Sequence, residues 1–458
     1  MLQESYFHLT SDNHRKKFSQ FFTPDLIADL MAEWVLRKEP ASVLDPAFGL
    51  GAFHQAIRRK KSQSKIFAYE IDPHILSFLP SSLSNDCLTT IKCLDFLESP
   101  CQKFSAIICN PPYSRFQNLK NRLKILLRLR MLTGEKFSSH TNLASLFLLK
   151  SLKQLKKNGR LAFIMPYEFI NTGYGKKVKQ NLISKRILKK ILILENEKEI
   201  FWDALTTVCV LLCENSGFPE DLHFYRLKSS GILKAVNSFD DLDWEKIDYR
   251  KLDPAKKWSP ILSGFAESFP VPEGFEPISI YGAFKRGIAT GANSYFTFSL
   301  KKIKEWRIPE SSLKPCITRS SQIKRPIFDY QELQTLIEKN ASIFCLDAKF
   351  KQDAATMDYI LHGEKIGINR KYLTRTRTPW FKTEARNPAP ILFGVFCRSH
   401  FKVIRNYTEC LNLTCYHSFY PNETGDRYID HLFLFLLSDL GNNVLKRNQR
   451  IYGAGLIK

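Results

Sequence analysis

The sequence contains no Cys-x-x-Cys pair, although 11 of its 458 residues are cysteine. The two closest cysteines, Cys209 and Cys213, accompany the apolar run from Val208 to Leu212, which is typical of a buried strand and not of a zinc knuckle. We therefore expect no structural metal site. We expect the thiols to be free, as they are in a reducing compartment.

Long apolar runs are also absent. No uninterrupted apolar stretch is long enough to span a bilayer, and the polar segment from Met1 to Lys17 lacks the apolar core of a signal peptide. These absences predict a cytoplasmic protein that has no membrane partner.

Acidic residues are scarce relative to basic ones, 45 against 68, which gives a formal net charge of +23. Such an excess of positive charge favours a polyanionic partner, most commonly nucleic acid. A basic surface that serves only solubility is the alternative. The hydrophobic fraction of 44% is ordinary and, with the chain length, predicts a sizeable core and at least two domains.

Strand-like and helix-like segments alternate through the first half of the chain, which predicts an α/β fold with a mostly parallel sheet covered on both faces. A helix is predicted over 26–36, and strands are predicted over 42–44, 66–71, 106–109, 161–165, 191–194 and 207–212. The pattern weakens after residue 215. We therefore predict a catalytic domain over 1–215, a connector over 216–276 and a mixed α+β domain over 277–458.

A glycine-bearing turn follows the first predicted strand, in the sequence from Asp45 to Phe53. The strand places Asp45 at its carboxyl end, and Gly49 and Gly51 let the backbone turn tightly next to a ligand before a helix begins. A glycine pair alone is also compatible with a plain strand–turn–helix connection.

Acidic residues end the next two strands. Glu70 follows an apolar run about twenty residues after the glycine turn, a position that suits binding of ribose hydroxyls. Asp95 ends a third strand, where it is suited to accept from the amino group of an adenine ring, with Phe96 against the ring face. A solvated surface charge is the alternative for Glu70, and the Asp-Phe pair alone is uninformative.

The most specific element is Asn110-Pro111-Pro112-Tyr113, which directly follows the apolar strand 106–109. The exocyclic nitrogen of adenine is a poor nucleophile because its lone pair is delocalised into the ring. The Asn110 side-chain carbonyl and the Pro111 main-chain carbonyl are suited to accept its two N–H bonds, and the prolines stiffen the backbone that presents them. Tyr113 offers a face on which an extruded base stacks.

With these motifs in order, the chain resembles the class I, Rossmann-like S-adenosylmethionine methyltransferases. Within them it is similar to the gamma-group N6-adenine DNA methyltransferases of bacterial restriction–modification systems, the TaqI-like group. The family also has an N-terminal Phe-x-Thr-Pro motif, which Phe21 to Pro24 match. Two features depart from the pattern: Asp45 stands where some members have Glu, and the chain stops soon after Tyr452-Gly453.

The resemblance implies a role for each matching residue. Thr23 and Asp45 are expected at the methionine end of S-adenosylmethionine, Glu70 at its ribose and Asp95 at its adenine, with Ala47, Gly49 and Gly51 in the turn. The residues expected to hold the flipped target adenine are Asn110, Pro111, Tyr113 and Phe201. The implied reaction is a direct methyl transfer to N6, without a metal or a covalent cysteine intermediate.

Basic and aromatic residues interleave in the C-terminal part, as in the run from Arg375 to Lys382, which suits contact with phosphates and a DNA groove. Arg286, beside Gly287, is the best single candidate for a DNA contact. The resemblance makes this part a target-recognition domain for double-stranded DNA. We also expect a monomer and a cognate restriction endonuclease that acts on the same site.

Other functions remain open at this point. The same motif serves enzymes that methylate a glutamine amide, and an RNA substrate is also possible. A restriction nuclease is suggested loosely by Asp329 and Asp347-Ala348-Lys349, which approximate a metal-nuclease spacing. A non-enzymatic DNA-binding subunit is the last alternative, but it has no need of Asp45, Asp95 and Asn110 together.

Overall fold

The computed structural model describes residues 2–113, 122–134, 141–184, 186–194, 207–217, 219–227, 229–262, 274–347, 353–396, 401–447, 451–452 and 456–457. The chain forms two compact units. Unit 1 consists of Met1–Ser268 and Arg450–Gly455, and unit 2 consists of Phe269–Gln449 and Leu456–Lys458.

Unit 1 is built on a nine-stranded sheet in the order β3-β2-β1-β4-β5-β7-β6-β8-β9. Strands β1 to β5 are parallel, whereas β7 is antiparallel to both of its neighbours. The strands are β1 (Ser42–Asp45), β2 (Lys65–Glu70), β3 (Thr89–Cys93), β4 (Phe104–Cys109), β5 (Leu155–Pro166), β6 (Leu188–Leu194), β7 (Val208–Glu214), β8 (Asp221–Leu227) and β9 (Glu245–Asp248). The predicted mostly parallel sheet is confirmed.

Helices cover both faces of this sheet. The described helices of unit 1 are α1 (Leu2–Leu9), α2 (Asp12–Phe18), α3 (Asp25–Leu36), α4 (Ala52–Arg59), α5 (Pro73–Leu76), α6 (Ser81–Ser84), α7 (Arg122–Thr133), α8 (Leu143–Gln154), α9 (Gly175–Ser184), α10 (Ser230–Lys234) and α11 (Ser259–Leu262). Successive strand residues point to opposite faces: Ile108 packs in the cluster that includes α3 and α4, whereas Ile107 packs in the cluster that includes α8.

The segment predicted to be an irregular connector, 216–276, differs from the prediction in its first part. It contains β8, which pairs in parallel with β6, and β9, which pairs antiparallel with β8. In β8 the buried residues Leu222 and Phe224 alternate with less buried polar ones. The alternation is short, and the hydrogen bonds that make it a strand come from β6, about thirty residues earlier in the chain. The local sequence pattern therefore gives little indication that β8 is a strand.

Unit 2 has a mixed α+β architecture, as predicted. A five-stranded sheet has the order β10-β18-β15-β16-β13, and a four-stranded sheet has the order β11-β14-β12-β17. The strands from β10 onward are β10 (Gly282–Arg286), β11 (Thr297–Phe298), β12 (Leu313–Ile317), β13 (Ile327–Phe328), β14 (Phe344–Leu346), β15 (Ile391–Gly394), β16 (Val403–Asn406), β17 (Leu411–Asn412), β18 (Tyr416–Pro421), β19 (Ile451–Tyr452) and β20 (Leu456–Ile457), of which β19 belongs to unit 1. The described helices are α12 (Asn293–Phe296), α13 (Leu300–Trp306), α14 (Tyr330–Glu338), α15 (Ala354–Lys365), α16 (Glu423–Arg427), α17 (Ile429–Leu437) and α18 (Asp439–Arg447).

None of the helices in the described part of the chain is long and apolar enough to cross a bilayer.

Candidate active site

The turn after β1 has the backbone geometry that its glycines permit. Gly49 and Gly51 have φ values of 56° and 78°, and Gly51 precedes the first residue of α4. The φ of Gly51 disfavours any side chain there, and a Cβ atom would lie 2.6 Å from Leu83 Cδ1, so the Leu83 side chain would also have to shift.

Glu70 connects the end of β2 to this turn. Its Oε2 accepts the N–H of Gly49 at 2.8 Å, and its Oε1 accepts the N–H of Asp72 at 2.9 Å. Burial raises the pKa of Glu70, while the bonds from Asp72 and Gly49 partly oppose that rise. The carboxylate therefore fixes the turn and also lies beside the space that the turn encloses.

Asp45 is almost completely buried, with 1% of its surface exposed. Its Oδ1 accepts the N–H of Ala47 at 3.1 Å, but its Oδ2 has no hydrogen-bond partner among the described residues. Burial raises the pKa of Asp45 to about 8. A buried carboxyl oxygen without a donor is costly unless a ligand supplies one, so Asp45 has the character of a binding residue.

Asp95 begins a 3₁₀ helix (Phe96–Glu98) that follows β3. Its Oδ1 accepts the N–H of Leu97 at 2.8 Å, and burial raises its pKa. Lys150 on α8 packs against this 3₁₀ helix, and the Lys150 residue is 2% exposed. The Lys150 ammonium donates to the carbonyl of Phe96 and, at 2.8 Å, to that of Ser99. Burial lowers the pKa of Lys150 to about 8.

Asn110 follows β4 and its side-chain amide has a fixed orientation. The Nδ2 atom donates to the Phe21 carbonyl and to Thr23 Oγ1, both at 3.0 Å, and Oδ1 accepts the Tyr113 hydroxyl at 2.7 Å. The ring of Tyr113 stacks on Phe21 with centroids 5.2 Å apart. Because both amide hydrogens are used by the N-terminal segment, Oδ1 is the end of the amide that remains for a substrate.

A cavity of about 140 Å³ lies at the carboxyl ends of β1, β2 and β4, where an open α/β sheet binds its ligand. Five of the predicted site residues line it together: Ala47, Gly49, Glu70, Asp95 and Asn110. Four others lie close to lining residues in the chain without lining the cavity themselves: Thr23, Asp45, Gly51 and Tyr113. Thr23 accepts a hydrogen bond from Asn110, and Asp45 precedes the lining residue Pro46. Pro111 is buried in the same turn as Asn110. Phe201 lies outside the described residues.

Sequence reasoning missed one wall of the cavity, which consists of residues 17–22. Gln20 of this segment and His14, which precedes the segment, both contact Oδ2 of Asp72, two residues after β2, at 2.7 Å. The only sequence signal was the motif from Phe21 to Pro24, which the resemblance used for Thr23 alone.

Two apolar residues that line the cavity were also missed. Ile71 is 49% exposed and Leu94 is 39% exposed, and each lies next to a predicted acid, Glu70 or Asp95. The signal that would have found them is an apolar residue where a strand gives way to a polar turn. Such exposed apolar side chains suit the faces of a flat aromatic ligand.

In unit 2, Arg286 ends β10 and its guanidinium contacts Glu384 Oε1 at 2.6 Å. Glu384 also contacts Arg386 at 2.8 Å, and it lines a cleft of about 580 Å³ with Lys285, Lys314 and other residues. Glu384 was not predicted from the sequence. Its carboxylate pairs with both arginines and offsets their positive charge.

The residues behind the nuclease alternative have local roles where they are described. Asp329 accepts from the N–H of Glu332 at the start of α14, and Asp347 contacts Lys314 at 2.9 Å. Ala348 and Lys349 lie outside the described residues. In the described parts of the chain no group of three or more His, Cys, Asp or Glu side chains is arranged to hold a metal ion.

Fold and site together define the class. The sheet order, with the reversed strand β7 between β5 and β6, places the acids and the Asn-Pro-Pro-Tyr turn around one cavity. This is the architecture of a class I methyltransferase, whose cofactor is S-adenosylmethionine.

Comparison with known proteins identifies the family. The family model for the Eco57I restriction-modification methylase matches residues 58–201, and that for the C-terminal domain of Type II methyltransferase M.Eco57I matches residues 266–458. The chain is 38% identical to Type II methyltransferase M.AccI of Acinetobacter calcoaceticus over 467 residues, covering 100% of this chain and 86% of that protein. Type II methyltransferase M.XamI of Xanthomonas campestris pv. amaranthicola is 24% identical over 95% of this chain and 82% of its own. The chain belongs to the type II DNA methyltransferases of restriction–modification systems.

Solved structures show the same fold. The type IIL restriction-modification enzyme MmeI, solved in complex with DNA, matches with a TM-score of 0.63 at 13% identity, over 98% of this chain and 68% of that one. DrdV, also solved with DNA, matches with a TM-score of 0.55 at 13% identity, over 95% of this chain. The chain spans 54% of the length of the DrdV chain.

Proposed function

We propose that this DNA methyltransferase transfers the methyl group to the exocyclic N6 of an adenine that has left the DNA duplex. The observation that carries the proposal is the position of Asn110. It lies at the end of β4, it lines the cavity, and its amide orientation is fixed by Phe21 and Thr23.

Asn110 and Pro111 supply the acceptors that this chemistry needs. The Oδ1 atom of Asn110 and the main-chain carbonyl of Pro111 accept the two N–H bonds of the target amino group, which localises its lone pair for attack. In the free protein the Tyr113 hydroxyl donates to Oδ1 at 2.7 Å. The acceptor is therefore kept satisfied until an amino group replaces the tyrosine hydroxyl.

The residues around the cavity fit S-adenosylmethionine, which supplies its methyl group from a sulfonium centre. Asp45 and Thr23 serve the methionine end, where the partnerless Oδ2 of Asp45 meets a cationic amino group. Glu70 serves the ribose, and Asp95 serves the amino group of the adenine ring. Ile71 and Leu94 offer apolar contacts to that ring.

The depth of the site supports base extrusion. Asn110 is 8% exposed, so a base that remains stacked in a duplex does not reach it. Tyr113 offers one aromatic face to the extruded adenine, and we assign a second aromatic contact to Phe201, on which a base regains about 1–3 kcal/mol.

We assign sequence recognition to residues 277–458, with Arg286 among the DNA contacts, and catalysis to residues 1–215. The alternating basic and acidic groups around Glu384 suit reading of base edges as well as phosphates. We also propose that the protein acts as a monomer and protects the site of a cognate restriction endonuclease.

Mass spectrometry of nucleosides tests the proposed product. Plasmid DNA is incubated with the protein and S-adenosylmethionine, digested, and analysed for methylated nucleosides. N6-methyl-2′-deoxyadenosine is expected with the wild type and with Asn85→Ala, which changes an exposed asparagine, and none is expected with Asn110→Ala when the plasmid carries no adenine methylation beforehand. Cofactor binding by Asn110→Ala, measured by calorimetry, stays near that of the wild type. N4-methyl-2′-deoxycytidine as the product, or full activity of Asn110→Ala, overturns the proposal.

A further inference from the structure

Helix α7 presents an unusual surface. Leu123, Leu127 and Met131 are 71%, 60% and 86% exposed. Their spacing of four residues places them in one row along the helix. We name these three residues together with Arg130 the outer face of α7. Three adjacent apolar side chains this exposed mark an interaction surface, because scattered exposed residues do not align in this way.

The helix itself is well anchored, so the exposure is not a consequence of a loose segment. Ile125 and Leu129 are buried in the core cluster that also contains Phe96 and the α8 residues. Lys124 contacts Glu98 at 3.1 Å, and Arg128 donates to the carbonyl of Ser99 at 3.2 Å. Both contacts attach α7 to the 3₁₀ helix that follows Asp95, at the edge of the sheet where the cavity lies.

Charge indicates what covers this face. The sequence of α7 contains four basic residues and no acidic one. The whole chain carries a net charge of +23. A second copy of the chain is repelled by such a surface, whereas a DNA backbone is attracted to it.

We propose that the outer face of α7 contacts DNA beside the catalytic cavity, with Arg130 on a phosphate and Leu127 and Met131 against the sugars and base edges of a groove. Apolar side chains on a basic element make such contacts in proteins that bend or open a duplex. The inference rests on the DNA-methylating function and deepens it. The buried side chains of α7 pack in the cluster that contains Phe96, the residue after Asp95, and the exposed ones meet the substrate.

Two variants separate the charged and apolar contributions. Their affinity for a fluorescein-labelled duplex of random sequence is measured by anisotropy at several salt concentrations. Arg130→Gln should lower the slope of log affinity against log salt by about 0.9, the contribution of one phosphate. The double variant Leu127→Gln, Met131→Gln should lose roughly three- to tenfold in affinity with an unchanged slope, because it removes apolar contacts and no charge.

Controls keep the outcome specific. Leu9→Gln changes another exposed leucine, 71% exposed, and Lys234→Gln changes another exposed cation of unit 1, and both should bind DNA as the wild type does. Thermal unfolding and calorimetric cofactor binding show whether each variant is folded.

The inference is overturned if the α7 variants bind DNA with wild-type affinity and methylate plasmid DNA at the wild-type rate. Light scattering that shows a wild-type dimer dissociating in the double variant, at unchanged DNA affinity, assigns the face to a second copy and overturns it as well. Failure of the wild type itself to methylate any DNA refutes the underlying function instead.

Discussion

Asp45 shows how one side chain couples the protonation of the free protein to its ligand. Its carboxyl group is buried, Oδ2 lacks a donor among the described residues, and its pKa is about 8. The folded-state pKa lies above the ordinary value, so this group contributes full stability below its unfolded pKa, and that contribution is lost as the pH rises through about 8. Near neutral pH the free protein therefore holds a proton there.

We predict that binding of S-adenosylmethionine releases this proton, because a cationic amino group favours the carboxylate. Cofactor affinity should rise with pH between about 6 and 7.5, with a slope of up to about one decade per pH unit. Calorimetry in a pH series measures the slope. Asp45→Asn should remove it, whereas Asp243→Asn, an exposed acid, should retain it. A wild-type affinity that does not change over this interval contradicts the assignment of Asp45.

At the residue scale, the sequence predicted the acids and the asparagine because each lies at or just after the carboxyl end of a strand. Ala47, Gly49, Glu70, Asp95 and Asn110 do line one cavity. The orientation of Asn110 was not predictable, since its partner Thr23 is 87 residues away in the chain. A sequence motif identifies the residues, but the hydrogen bonds that orient their side chains form only when segments distant in the chain pack together.

At the scale of elements, the 3₁₀ helix Phe96–Glu98 depends on one buried cation. Lys150 donates to the carbonyls of Phe96 and Ser99, and its ammonium lies 4.5 Å from the centre of the Phe96 ring. Asp95 is the N-cap of this helix, so we propose that Lys150 is a positioning residue for Asp95, which we assign to the cofactor. Nothing in the sequence marks it, because Lys150 and Lys153 look alike on α8.

We predict that Lys150→Met raises the KM for S-adenosylmethionine about tenfold with little change in kcat, since the altered turn affects binding and not the reacting atoms. The variant should also lose about 1–3 kcal/mol of stability, because the buried hydrogen bonds that the Lys150 ammonium donates to the Phe96 and Ser99 carbonyls and to Ser99 Oγ are removed. Steady-state kinetics and thermal unfolding measure the two effects. Lys153→Met, on the same helix, is the matched control. An unchanged KM places Lys150 outside the support of the site.

Gly287 marks a second element-scale constraint, where the chain leaves β10 in unit 2. A Cβ atom there would lie 2.1 Å from the Leu413 carbonyl oxygen and 2.5 Å from Asn412 Nδ2. Asn412 is the last residue of β17, and Leu413, which follows it, forms a β-bridge with Ile288. Backbone cannot move aside as a flexible side chain does.

We predict that Gly287→Ala lowers the melting temperature of unit 2 and weakens DNA binding, while cofactor binding by unit 1 is retained. Gly173→Ala, where a Cβ would have no neighbour within 4 Å, serves as the control. Differential scanning calorimetry and cofactor titration distinguish the two units. A variant that binds DNA and melts as the wild type does shows that the backbone at Gly287 can yield.

At the scale of the whole molecule, the net charge of +23 has a measurable consequence. DNA affinity should fall steeply with salt, and about six to ten phosphate contacts correspond to a loss of roughly 10³ to 10⁵ between 50 and 200 mM salt. Anisotropy titrations with labelled duplex DNA measure this loss. An affinity that stays constant over the same interval argues that the positive charge serves solubility instead.

The α/β class, the cofactor S-adenosylmethionine and the DNA-methylating family were predictable from the sequence, because short motifs at strand ends encode them. The boundaries of the domains were harder to predict from the sequence. Strands β8 and β9 fall in a segment whose pattern appears irregular, and they become strands by pairing onto β6 and onto each other. The assignment of recognition to residues 277–458 stays a prediction that a domain exchange with a relative would test.

Strand β9, at one edge of the nine-stranded sheet, protects that edge against aggregation. An exposed edge strand is a template for pairing with other chains, and short, charged edges prevent this. Strand β9 has four residues, and its exposed Glu245 and Lys246 place both signs of charge on that edge. A fragment that stops at residue 215 removes β8 and β9 and leaves β6, whose residues Ile191–Leu194 are apolar, as the open edge. Such a fragment should precipitate, whereas one that continues through residue 262 keeps the protected edge.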